Sequence, residues 1–185
     1  MTGSHEGIAM AGERYEGLDE WVAARGTSLL RTAVLLAGSR EAGEDLFQQS
    51  LERLVRHWSQ IEGDPEGYLR RTMSRLAIDR WRWRSRRREM LGLDLAERAG
   101  PDDAVATLDL RDVLMRALAT LPPRQRAVVV LRHWEQLSEV DTADVLGCSV
   151  GTVKSATSRG LAALREVVDA RQAVVTGIGQ EERSS

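Results

Sequence analysis

The sequence predicts an all-α protein: two small helical domains joined by a linker, the second built around a helix-turn-helix. Three observations point there. Leu and Ala supply 44 of the 185 residues, against four Ile and one Phe, a stock that favours helix over strand. Apolar residues recur at helical spacing in two blocks separated by a stretch without period. In the second block Ala143, Gly147 and Val153 supply a small residue, a permissive turn residue and a branched anchor, the three needs of two helices meeting at a tight turn.

Residues 1–14 are rich in Gly, Ser and acids and are expected to be disordered. The first domain is expected over residues 15–88. From Tyr15 to Ala37, Leu18, Trp21, Val22, Leu29, Leu30, Ala33 and Leu36 recur at helical spacing, with Gly26 as a candidate break and Gly38-Ser39 as the close. Glu41 to Trp58 reads as a long amphipathic helix. Its stripe is Leu46, Phe47, Leu51, Leu54, Val55 and Trp58; its opposite face holds Asp45, Gln48, Gln49, Glu52 and Arg56. Ser59 to Asp64 is a turn, and Asp64-Pro65 sets an N-cap before a first-turn proline. The next helix is expected from Pro65 to about Arg88, with Leu69, Met73 and Leu76 inward.

Residues 89–106 lose the period, and Gly92, Gly100-Pro101 and Asp102-Asp103 mark a linker. The second domain is expected over residues 107–170. Leu108, Val113, Leu114, Leu118 and Leu121 form one stripe, ended by Pro122-Pro123, which opens a helix through Val128, Val129, Leu131 and Trp134. Ser138 caps a short helix that Gly147 ends; Ser149 caps the last one, whose stripe is Val150, Val153, Thr157, Leu161, Leu164 and Val168. Residues 171–185 are expected to be a tail.

The formal net charge of −2 hides an asymmetry: residues 68–88 carry nine arginines against the single Asp79, and the flanking segments are acidic. Such a patch fits a polyanion. A solvated face is the alternative, and Trp81 and Trp83 among the arginines favour nucleic acid. One cysteine excludes a disulfide scaffold, and three scattered histidines argue against a zinc enzyme. No apolar run approaches the roughly 20 residues needed to cross a bilayer. The acidic N-terminus lacks a secretion signal, so a cytoplasmic location is expected. Neither a Gly-rich phosphate loop nor a nucleophile–base pair supports an enzyme.

Within the helix-turn-helix, Val153 anchors the second helix and leaves Lys154, Ser155, Ser158 and Arg159 on the opposite side. Small hydroxyls and cations of this kind reach base edges and phosphates in a major groove. Ser149, Thr152 and the free backbone N–H groups at the helix start suit a phosphate. Thr142 stands where a larger apolar residue is usual, and Cys148 reads as a small buried hydrophobe in the turn.

Three stretches carry a resemblance. They are Ala42 to Trp58, with Asp45-Leu46-Phe47-Gln48-Gln49-Ser50; Tyr68-Leu69-Arg70-Arg71 through Asp79 into the Arg/Trp run; and Leu121-Pro122-Pro123-Arg124-Gln125-Arg126 through the helix-turn-helix. In this order, over roughly residues 15–168, the chain resembles a bacterial RNA polymerase sigma factor of the extracytoplasmic-function class, most like its sigma-E-like actinobacterial group.

The resemblance implies a promoter-specificity subunit with core RNA polymerase and promoter DNA as partners, and an anti-sigma protein as a third it leaves open. No cofactor, metal, membrane or small-molecule substrate is implied. Asp45, Gln48, Gln49 and Glu52 match the face that docks on the clamp coiled coil of the largest polymerase subunit. Ile61 and Tyr68 bound the turn that cradles a flipped base. Arg71, Arg75, Arg80, Trp81, Arg82 and Arg84 match the segment that binds and melts the minus-ten element. Arg75 stands where a base-reading Asn often sits, so a base and a phosphate both stay open to it. Asp79 has Arg75 and Arg82 within pairing distance along the helix, and Trp83 serves either DNA or the core. Ser149, Thr152, Lys154, Ser155, Ser158 and Arg159 match contacts to the minus-thirty-five element. The competing reading is a stand-alone helix-turn-helix regulator, against which the Arg/Trp segment counts.

Overall fold

The structure is a computed structural model that describes residues 15–90 and 110–181; the expected N-terminal segment 1–14 and the expected linker from residue 91 on lie outside the described residues. Among the described residues all regular structure is helical. The order is α1 (Leu18–Ala37), α2 (Arg40–His57), a single 3-10 turn (Trp58–Gln60), α3 (Pro65–Met90), α4 (Leu110–Thr120), α5 (Pro123–Val129) running into a π-helical turn (Val130–Trp134), α6 (Glu139–Leu146) and α7 (Val150–Glu181). The chain divides into two compact units, Met1–Ala77 and Ile78–Ser185, so the division falls inside α3 rather than after it.

In the first unit α1 and α2 pack as a helical hairpin. Gly38, left-handed at φ 86°, ends α1 with its N–H on the Val34 carbonyl. Ser39 then caps α2, its Oγ accepting from the Ala42 N–H at 3.3 Å. Gly26 does not break α1, because tertiary packing supports a helix across an isolated glycine. The core is Leu18, Leu29, Ala33, Leu36, Leu46, Leu54, Leu69 and Met73, all buried. Trp58 closes one end: its ring lies 5.8 Å from that of Trp21, and its indole N–H donates to the Glu16 carbonyl at 3.0 Å. Asp64 caps α3, accepting from the Gly67 N–H at 2.8 Å. Glu66 in the first turn of α3 bridges Arg25 on α1, at 3.6 Å, and Arg70 on its own helix.

In the second unit the core gathers Ala117, Leu118, Leu121, Ala127 to Leu131, Ala143, Val145, Val153 and Ala156. Arg126 is nearly buried, and its guanidinium donates to the carbonyls of Ala119 at 3.0 Å and Leu121 at 3.1 Å. Those carbonyls lie at the end of α4, where helical partners run out. The π-helical turn after Val129 has no counterpart in the sequence expectation of one helix to Trp134. There the Glu135 N–H reaches back five residues to the Val130 carbonyl at 3.0 Å. Gln136 follows at φ 56°, and the Arg132 guanidinium donates to the Leu137 carbonyl.

Ser138 and Asp141 form a reciprocal capping box at the start of α6. Gly147 ends α6 at φ 59°, with the Cys148 N–H on the Ala143 carbonyl at 3.0 Å. The helix-turn-helix is pinned by Val128, Ala143, Val153 and Ala156, with Leu146, Cys148 and Val150 packed around them. Gly160 of α7 meets Val129 so closely that an added Cβ would lie 2.7 Å from its Cγ2. The last helix continues to Glu181, past Arg171 where a tail was expected; residues 165–176 contain neither glycine nor proline to stop it.

Candidate nucleic-acid interface

The recognition face of α7 is exposed where spacing put it. Lys154, Ser155, Ser158 and Arg159 are solvent-accessible, while Val153 and Ala156 between them are buried. At its head, exposed Ser149 accepts from the Thr152 N–H at 3.2 Å, and the two hydroxyls lie 2.9 Å apart. Thr152 is half-buried. Two of the face's side chains are folded onto their own helix: Ser155 Oγ donates to the Thr152 carbonyl at 3.1 Å, and Arg159 Nε to the Ser155 carbonyl at 3.2 Å. Lys154 instead reaches α6, its Nζ 3.6 Å from Glu139 Oε2. Sequence reasoning missed Glu139, since a charge fifteen residues upstream gives no local signal for such a pair.

Helix α3 carries the arginine cluster. Leu69 and Met73 are buried, whereas Arg75, Trp81, Arg82 and Trp83 are exposed, and Arg71 and Arg80 are half-buried. The Arg84 side chain lies outside the described ones. By helical spacing Arg71, Arg75, Arg82 and Arg86 fall along one side. Among the described residues Asp79 pairs with Arg82, at 3.9 Å, and not with Arg75. Of the two roles open to Trp83, the structure removes the core: the residue is 59% exposed, with the Arg87 guanidinium 5.1 Å over its ring. Trp81 is 46% exposed. An aromatic left in water on an arginine-dense helix is free to stack on a base.

The turn before α3 holds Ile61 and Tyr68 half-buried, with Gly63 left-handed at φ 87° between them. The His57 ring lies 6.3 Å from that of Tyr68, and its Nδ1–H donates to the Arg53 carbonyl at 2.8 Å. On α2, Asp45, Gln48, Gln49 and Glu52 are all exposed. An open groove runs beside them, lined by Gln48, Leu51, Glu52, Val55 and Arg56. Sequence periodicity turned Leu51 and Val55 inward; both are only half-buried and give that polar face an apolar floor. Among the described residues there is no His, Cys, Asp and Glu cluster able to hold a metal ion, and no helix is long and apolar enough to cross a membrane.

These features coincide with known families. Residues 21–87 match the family described as Sigma-70 region 2, and residues 111–164 match Sigma-70, region 4. The chain is 41% identical over 167 residues to the RNA polymerase sigma-E factor of Streptomyces coelicolor, covering 89% of this chain and 93% of that protein. It is 36% identical over 154 residues to the ECF RNA polymerase sigma factor SigE of Mycolicibacterium smegmatis, covering 80% of this chain and 60% of the relative. The fold is also that of the sigma factor RpoE from Bartonella quintana, solved in complex with the anti-sigma factor NepR. That match has a TM-score of 0.65 at 24% identity and covers 82% of this chain and 96% of the other. With both regions present in order and close relatives matched nearly end to end, the chain belongs to the sigma-70 family, as an RNA polymerase sigma factor of the extracytoplasmic-function class.

Proposed function

We propose that this sigma factor docks on the clamp coiled coil of the largest subunit of core RNA polymerase through Asp45, Gln48, Gln49 and Glu52. Ile61, Tyr68, Arg71, Arg75, Arg80, Trp81, Arg82 and Arg84 then engage and open the minus-ten element. Ser149, Thr152, Lys154, Ser155, Ser158 and Arg159 read the minus-thirty-five element. The observation that carries this reading is one chain holding both an arginine-dense helix with exposed Trp81 and a helix-turn-helix with an exposed basic face. A duplex reader needs only the second; a protein that also separates strands needs cations for the backbone and an aromatic for an unpaired base.

The chemistry divides accordingly. Arginines on α3 neutralise phosphates, and Trp81 supplies a stacking surface once a base leaves the duplex. Arg75 contacts a base or a phosphate there. We assign the domains to 15–88 and 107–170, the first carried past the division at Ala77 so that it keeps the arginine-dense half of α3; each makes too small a contact to hold DNA firmly alone. Polymerase binding turns the second contact into an intramolecular one. A net negative charge weakens the free chain on DNA, and the arginine–phosphate contacts make what binding there is steeply salt-dependent. An anti-sigma protein is a further partner, supported by the complex solved for the Bartonella quintana relative.

Run-off transcription with purified core polymerase tests the proposal. A product that depends on promoter sequence and on this chain is expected. Its absence, or tight operator binding without polymerase, would falsify the reading in favour of a stand-alone regulator.

A further inference from the structure

We propose that Glu139 is a positioning residue that tempers the affinity of this protein for DNA by competing for Lys154. The inference rests on the reading of α7 as the DNA-contacting helix. The Lys154 ammonium lies 3.6 Å from Glu139 Oε2, and the side chains are 65% and 36% exposed. The pair joins two helices whose relative position is fixed by the buried set Val128, Ala143, Val153 and Ala156. The capping box of Ser138 and Asp141 also fixes the turn of α6 that bears Glu139. The backbone that bears the carboxylate therefore stands at a set place beside the recognition face.

Ser155 and Arg159 are turned onto carbonyls of their own helix, contacts that a phosphate or base replaces with little electrostatic loss. Lys154 differs, because leaving its place separates an ion pair. An exposed pair of this kind is weak, so a row of phosphates displaces the carboxylate. The displaced Glu139 then faces the duplex as an uncompensated negative charge. Each encounter with DNA thus pays the separation of this pair, and a duplex that offers Lys154 no second contact gains least from it.

A double-mutant cycle on the full-length chain tests this, with a mixed-sequence duplex at low salt as the probe. Glu139→Gln is expected to tighten binding by about two- to fivefold, the range of an exposed ion pair. The gain is expected to be smaller in the Lys154→Gln background, and the thermal unfolding midpoint of Glu139→Gln should fall by no more than the few degrees that loss of one exposed ion pair costs. Equal gains in the two backgrounds would mean that Glu139 acts only as one more negative charge, and would overturn the proposal while leaving the DNA-binding reading of α7 intact. If Lys154→Gln binds the duplex as tightly as the parent, that reading fails and the proposal falls with it. Reduced binding by Glu139→Gln also overturns it.

Discussion

Gly43 of α2 lies directly against Val34 of α1: a Cβ at position 43 would stand 2.7 Å from both the backbone nitrogen and Cγ2 of Val34. The hairpin of the first unit therefore closes at a distance only glycine permits. Gly43→Ala must push the helices apart and is expected to destabilise the protein by about 1–3 kcal/mol, as other overpacked sites do. Gly26→Ala is the control. Its Cβ would meet Val22 Cγ1 at 3.5 Å and Phe47 Cζ at 3.8 Å, ordinary contacts. That change should be neutral or stabilise by about 0.5–1 kcal/mol, the helical cost of glycine. Urea denaturation of both variants checks the pair, and similar effects from the two would refute the close approach.

Arg126 belongs to the stretch Leu121 to Arg126 that resembles the family, yet its side chain is structural. It terminates α4 by donating to the carbonyls of Ala119 and Leu121. Arg126→Met keeps much of the volume but takes its donor from the carbonyl of buried Leu121, a loss of about 1–3 kcal/mol. Arg126→Lys is expected to rescue only in part: both bonds leave the single Nη2 nitrogen, and the shorter lysine side chain does not carry its ammonium to that position. Thermal melts of the second unit's helices decide it; full rescue by lysine would show that charge, not geometry, is what matters there.

Thr142 is fully buried in α6, and among the described residues its hydroxyl has no hydrogen-bond partner. The sequence marked this as a position where a larger apolar residue is usual. Thr142→Val is nearly isosteric and removes the unsatisfied group, so a stability gain of about 1 kcal/mol is expected. A loss measured in the same denaturation series would point to a bound water or another partner for that hydroxyl.

The division of labour between the two domains predicts separable defects. Gln49→Arg with Glu52→Arg reverses the exposed face of α2 and should weaken core-polymerase binding by at least about tenfold, or 1.4 kcal/mol. Lys154→Glu with Arg159→Glu should abolish minus-thirty-five recognition while polymerase binding survives. Co-purification with core enzyme and promoter footprinting read the two properties apart. Loss of the same property in both variants would undo the assignment of the faces.

The sequence by itself determined many of the helix ends, though not that of α7, which runs past Arg171 to Glu181. Ser39, Asp64, Ser138 and Ser149 cap, and Gly38 and Gly147 terminate, because each satisfies backbone groups within four residues of itself. It also placed Lys154, Ser155, Ser158 and Arg159 on one open side, since helical period and a buried Val153 suffice for that. The π-helical turn after Val129 left no such mark, nor did the positive φ of Gln136. Tertiary structure alone decided which polar groups meet. Arg126 turns inward to α4, Trp83 stays in water, Leu51 and Val55 floor a groove, and Glu139 faces Lys154. The reason is one of range: caps and periods act along a single turn, whereas these contacts exist only once packing has fixed the distance and rotation between helices.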